Sequence, residues 1–125
     1  MSLDVCLEGD EYEAVETCEY CGRSGSVLIT DIYYDANITH NLGTMARNAG
    51  IYEAVWRPDE NGYSKAGDII AILENGIVDM KNRPEYYRQF DAGNGWGTYR
   101  DFVPWLEKYL AACKEYPEAN IRVSR

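Results

Sequence analysis

Apolar residues recur at every second position in the first third of the chain and at every third or fourth position afterwards. Leu3, Val5 and Leu7 alternate with polar or small residues, the period of a half-buried strand. Gly9-Asp10 can turn the chain, residues 12–18 resume an alternating pattern, and Cys21-Gly22-Arg23-Ser24-Gly25-Ser26 is a second turn. Residues 27–35, Val-Leu-Ile-Thr-Asp-Ile-Tyr-Tyr-Asp, are β-branched and aromatic and make the strongest strand. Short turns join neighbours, so the pattern predicts an antiparallel β-meander of three strands over residues 1–35. If Gly9-Asp10 is its first turn, paired residue numbers sum to about 19, and Cys6 faces Glu13. One ring of Tyr33-Tyr34 must then point away from the core, because neighbouring strand residues face opposite sides.

The period changes after residue 36. Leu42, Met45, Ala46 and Ala49 have helical spacing, with Thr39 or Asn41 as the cap and Gly50 as the stop. Pro58 bars further helix after Trp56-Arg57, and Asp59-Glu60-Asn61-Gly62 is a loop. A second helix is expected from Ser64 or Lys65, burying Ile69, Ile70, Leu73, Ile77 and Met80. Gly76 inside it costs up to about 1 kcal/mol against alanine, which marks a point of close packing. Pro84 suits the first turn of a short helix through Phe90. Phe102, Leu106, Tyr109, Leu110 and Cys113 form the stripe of a last helix. Pro104 is tolerated only where its missing N–H is an orphan of the first turn, so this helix should start near Arg100 or Asp101, or be kinked. Pro117 ends it, and Ile121 and Val123 alternate in a short C-terminal strand that can rejoin the sheet. The class is therefore α+β: one domain over residues 1–125, with a β-meander at 1–35, three to four helices within 36–116 and a terminal strand at 119–125.

Composition agrees with an ordinary globular domain: 125 residues, 46% hydrophobic and 26% charged. Charge changes the picture more. Seven acidic residues, Asp4, Glu8, Asp10, Glu11, Glu13, Glu16 and Glu19, fall within residues 1–19 beside no Lys or Arg, so that segment holds most of the net charge of −9. Such a surface repels phosphates, which argues against direct nucleic acid binding, and favours a basic protein surface. It also serves as a solvated strand edge that resists sheet-to-sheet pairing. No apolar run reaches the roughly 18 residues of a membrane span, and Met-Ser-Leu-Asp-Val has no secretion-signal pattern. The expected location is the cytoplasm, and a homo-oligomer remains compatible with the sequence.

Candidate chemistry is sparse. Cys18-x-x-Cys21 is a lone pair on a turn, whereas a structural zinc site needs four ligands. Cys6, His40 and Cys113 are the remaining candidates, so no cofactor is expected; zinc at Cys18 and Cys21 is the alternative. A redox motif would sit at a helix N-terminus, not between two strands. His40 is the only histidine and could act as a base with Asp31 or Asp35, but no nucleophile signature accompanies it. The plainer reading is local hydrogen bonding at the strand-to-helix junction. Ala92-Gly93-Asn94-Gly95-Trp96-Gly97 could present N–H groups to an anion, but it lacks the pattern of a P-loop or of a dinucleotide fingerprint. It is expected to be a turn with positive φ at glycine, pinned by Trp96 packing into the core.

The segments Tyr34–Pro58 and Phe90–Arg125 resemble a family of small, uncharacterised phage and bacterial proteins. The resemblance is carried by the Met-Ser-Leu-Asp-Val start, Ala-Asn-Ile-Thr-His-Asn-Leu at 36–42, Met-Ala-x-x-Ala-Gly-Ile-Tyr at 45–52 and Trp-Arg-Pro at 56–58. It continues in Asn-Gly-Trp-Gly-x-Tyr at 94–99 and Tyr-Leu-x-Ala-Cys at 109–113. It covers about two thirds of the chain, least of all the acidic N-terminal hairpin, and implies a phage or prophage setting inside a host cell. By analogy, small acidic phage proteins often inhibit host defence. Two readings follow. The first is a non-enzymatic inhibitor or adaptor docking on a basic host protein through Glu11, Glu13 and Glu16. The second is a protein that sequesters a small, nucleotide-derived signal with Asn37, Thr39, His40, Asn41, Arg57, Asn94 and Trp96.

Overall fold

The computed structural model describes residues 2–17, 22 and 24–125, without the side chains of Ala14, Glu16, Thr17 and Ser24. Strand β1 (Ser2–Glu8) lies in the middle of a three-stranded antiparallel sheet, flanked by β4 (Ile32–Thr39) and by β5 (Asn120–Ser124). Leu3, Val5 and Leu7 are fully buried on one face of β1. They meet Ile38, Ala36 and Tyr34 across β4, and Val5 and Leu7 also meet Val123 and Ile121 across β5. Apolar residues on alternate positions of three strands thus make one continuous buried face.

This pairing corrects the expected meander. Gly9 does not turn β1 into the next strand; its N–H donates to the Asp31 carbonyl at 2.8 Å, so the chain leaves β1 and returns at Ile32. Between them, β2 (Tyr12–Thr17) and β3 (Ser24–Ile29) form a separate two-stranded sheet. The expected strand 27–35 is split at residues 30–31, and β4 runs on to Thr39, so the helical part begins at residue 40, not 36. Cys6 faces Asp35 and Arg122, not Glu13. The physical reason is apolar pattern: β4 carries Ile32, Tyr34, Ala36 and Ile38 on alternate positions, a longer match to Leu3, Val5 and Leu7 than the sequence Tyr-Glu-Ala-Val-Glu-Thr of β2 offers.

Helices cover that face. After a 3-10 turn (His40–Leu42) come α1 (Gly43–Asn48) and α2 (Tyr52–Trp56), with Gly50 at φ +75° between them. A 3-10 turn (Ala66–Ile69) leads into α3 (Ile70–Asn82), and α4 (Pro84–Arg88) follows. Asp68 accepts from the Ser64 and Lys65 N–H groups and so caps that entry. Leu73, Ile77 and Met80 of α3 are buried, as is the Phe102, Leu106, Tyr109 and Cys113 stripe of α5 (Tyr99–Glu115). The helix α5 starts earlier than Pro104 alone suggests, so proline is its sixth residue, beyond the orphan turn. Pro104 and Arg100 are both exposed, and water can satisfy the Arg100 carbonyl that lost its donor. The molecule is a single α+β domain, as its sequence implies.

One core position is poorly matched. Tyr109 is fully buried against Tyr34 and Trp105, yet its hydroxyl and Trp105 Nε1 have no hydrogen-bond partner among the described residues. Burial pushes the Tyr109 hydroxyl well above its ordinary value of 10.0. Because the folded state resists ionising this hydroxyl, stability does not change with its titration below about pH 10 and is lost as pH rises past it. At neutral pH the protonated hydroxyl is buried without a partner among the described residues, so Tyr109→Phe should raise stability by about 1–2 kcal/mol by removing its desolvation cost. It should also lessen alkaline destabilisation. Urea midpoints at pH 7 and pH 10.5, an alkaline point set by the tyrosine pKa of about 10, would check both; a destabilised variant would refute the first.

Candidate functional site

Five of the residues marked in the sequence do converge. Asn37 and Thr39 come from β4, Asn41 from the turn that follows, and Asn94 and Trp96 from the 92–97 loop. With Ser2, Gly97 and Asp101 they line an open concavity of about 530 Å³. The loop is tied down by backbone and amide bonds. Ala92 N–H donates to the Gly97 carbonyl at 2.9 Å, Asn41 Nδ2 to the Trp96 carbonyl at 2.8 Å, and Trp96 N–H to Asn94 Oδ1 at 3.0 Å. Gly97 has φ +111°, and a Cβ there would sit 3.1 Å from both Asn41 Cβ and Thr39 Cγ2. Glycine is therefore required both for the backbone angle and for contact with the strand end.

The expectation that Trp96 pins this loop into the core is wrong: its side chain is 71% exposed. Polar bonds hold the loop, and the indole stands beside the concavity. Asn37 donates to Asp4 Oδ1 at 2.6 Å and to Ser2 Oγ at 2.8 Å. Thr39 Oγ1 accepts from the Asn41 N–H at 3.3 Å, the capping bond expected at the strand-to-helix junction.

His40 and Arg57 do not belong to this site. The Nδ1 atom of half-buried His40 accepts from Trp56 Nε1 at 2.9 Å. In the neutral imidazole the other nitrogen then carries the proton. Among the described residues no carboxylate bonds to it: Asp31 accepts from Tyr12, and Asp35 lies opposite Cys6. The imidazole thus orients Trp56, which is 2% exposed between Tyr52 and Phe102. Arg57 is held by Glu60 at 2.8 Å and by the Tyr52 hydroxyl at 3.3 Å. Both residues serve the helical corner.

The acidic candidates lie elsewhere. Glu11 and Glu13 are exposed at the start of the β2–β3 ribbon, and Glu16 lies opposite Gly25 on its backbone. The ribbon also exposes Val15 (73%) and Leu28 (67%). At its base, Asp10, Tyr33, Glu115, Tyr116 and Glu118 line a groove of about 480 Å³, and the two tyrosine rings stack at 4.8 Å. Cys18 and Cys21 lie outside the described residues. Elsewhere among the described residues no group of three or more His, Cys, Asp or Glu side chains could hold a metal. Cys6 is held above its ordinary thiol range by burial and by Glu8 and Asp35, so it is a poor nucleophile. No helix among these residues is long and apolar enough to cross a membrane.

Sequence reasoning missed Asp101 and the cluster of Asp79, Arg83 and Tyr87. Arg83 bonds Asp79 through Nε at 3.1 Å and Nη2 at 2.6 Å, and the Tyr87 hydroxyl donates to the same carboxylate. The guanidinium and the hydroxyl hold the Asp79 carboxyl below its usual range, and burial with that carboxylate pushes Tyr87 up to about 12. The i, i+4 spacing of Asp79 and Arg83 was a readable helical pair; the link to Tyr87 needed the α3–α4 corner. Thr98-x-x-Asp101, whose side chains meet at 3.2 Å, was a readable helix start. Comparison with family models, curated proteins and solved structures finds no match for this chain.

Proposed function

We propose that this protein is a non-enzymatic recognition module whose acidic ribbon docks on a basic surface of a host protein, in a phage or prophage setting, where it would act as an inhibitor. The observation that carries the reading is the β2–β3 ribbon: among the described residues its strands pair only with each other. A two-stranded ribbon is marginally stable alone, and its edge N–H and C=O groups are open to another strand. Exposed Val15 and Leu28 supply apolar contact, while Glu11 and Glu13 select for positive charge. The groove at its base adds carboxylates from Asp10, Glu115 and Glu118 beside a stacked tyrosine pair. Carboxylates with aromatic faces suit an arginine or lysine side chain. Two ribbons of the same chain would set like charges together, which disfavours self-pairing.

The test is affinity capture from host lysate followed by titration of the captured protein. Glu11→Lys combined with Glu13→Lys should weaken binding at least tenfold, about 1.4 kcal/mol. Wild-type binding should also fall as salt rises. Val15→Ser with Leu28→Ser should weaken it independently. Equal affinity for all three proteins, or no salt dependence, refutes docking through the ribbon.

A further inference from the structure

The concavity beside Trp96 points to a ligand of its own. The Trp96 indole is 71% exposed and its loop is held by other bonds, so its apolar face is left open beside a cavity lined by polar groups. Around it stand groups that both donate and accept. Asn41 spends its Nδ2 on the Trp96 carbonyl and Asn94 its Oδ1 on the Trp96 N–H. That leaves Asn41 Oδ1 and Asn94 Nδ2 without partners among the described residues. Asn37 has both amide protons engaged and keeps Oδ1, and Thr39 accepts one bond and keeps its hydroxyl proton. The polar groups come from three segments and surround one flat apolar face.

This mixture selects a ligand class. A hydroxyl group donates and accepts, so it satisfies amide oxygens and amide nitrogens alike. A phosphate only accepts, and it wants guanidinium, ammonium or clustered backbone N–H groups. The described lining holds no Lys or Arg, Asp101 stands at its edge, and the Asp4 carboxylate lies beyond Asn37. An anion would meet repulsion. A volume of about 530 Å³ falls within the usual range for small-molecule sites.

We propose that the concavity between the end of β4 and the 92–97 loop binds a neutral ring bearing adjacent hydroxyl groups, a saccharide or the ribose of an unphosphorylated nucleoside, with Trp96 stacked on its apolar face. This site is distinct from the ribbon and stands on separate observations.

The experiment titrates the intact protein with glucose, galactose, N-acetylglucosamine, their disaccharides, adenosine and AMP. It follows the Trp96 indole N–H resonance, identified by its loss in Trp96→Ala. At least one neutral probe should shift that resonance and the Asn41 and Asn94 amides saturably. Sugars and adenosine separate the two sources of the shared chemistry. Trp96→Ala should fold unchanged and bind that probe at least roughly tenfold more weakly, because aromatic anchors dominate such sites. The Glu11→Lys, Glu13→Lys variant should bind it as wild type does. No saturable shift with any neutral probe overturns the proposal. So does unchanged binding by Trp96→Ala, or AMP binding roughly tenfold tighter than adenosine, which would mean that the site recognises phosphate.

Discussion

Gly76→Val should destabilise the protein by about 3 kcal/mol, at the upper end of what overpacking costs. A Cβ built at Gly76 would lie 2.2 Å from Ile51 Cγ2 and 3.2 Å from the Ala49 carbonyl. Ile51 is fully buried at the joint between α1 and α2, so neither side can retreat without moving that joint. Helix propensity works the other way, because glycine is about 1 kcal/mol worse than alanine in a helix interior and valine lies between. Repulsion wins, since the overlap is with a packed methyl and a backbone oxygen, not with the end of a flexible chain. The melting temperature should fall by roughly 10 °C for a domain of this size. A double-mutant cycle isolates the cause. Ile51→Ala alone should cost about 2–5 kcal/mol through the cavity it leaves, and in that background Gly76→Ala should become nearly neutral or favourable. Additive costs in the cycle would show that Gly76 and Ile51 do not share the space.

The second large effect belongs to Trp56. Trp56→Ala should cost about 3–5 kcal/mol, the range for deleting a large buried aromatic. The ring lies between Tyr52, stacked at 5.6 Å, and Phe102, edge-on at 6.2 Å, and its Nε1 reaches His40. It therefore joins α2 to α5 and to the strand-to-helix junction. Trp56→Phe separates packing from hydrogen bonding. It should cost about 1–3 kcal/mol, because it shrinks the ring and leaves His40 Nδ1 without its donor. His40→Ala should cost a comparable amount, since it strands the Trp56 N–H in a nearly dry site. Urea denaturation of the three variants at pH 7 measures the ordering. If His40→Ala is as stable as wild type, the imidazole is not what positions Trp56, and a separate role for it must be sought.

Much of the fold was legible because burial follows local period. Leu3, Val5 and Leu7 announced a strand, Phe102 to Cys113 announced a helix, and Gly50 and Gly76 marked a stop and a close contact. Strand pairing was not legible. Residues 12–18 follow β1 directly and alternate, so proximity favoured a meander, but the partner that shares the core face is β4, more than twenty residues on. The candidate site was half legible. Asparagine and threonine at a strand end signal local bonding wherever they occur, and Asn37, Thr39, Asn41 and Asn94 do meet. Nothing in their spacing separates them from His40 and Arg57, which turn away to Trp56 and Glu60.

The chain alone determined the class, the helices and their buried stripes, and the acidic bias of its first nineteen residues, because each depends on residue type and on intervals of two to four positions. Tertiary structure decided the rest. It chose which strand completes the β1 face, left β2 and β3 as a separate ribbon, and turned Trp96 outward over a polar concavity. The first and the last depend on contacts between segments far apart in the chain, β1 with β4 and β5, and Asn41 with Trp96. Hydrophobic periodicity says that a side chain will be buried or bonded; only packing says against what.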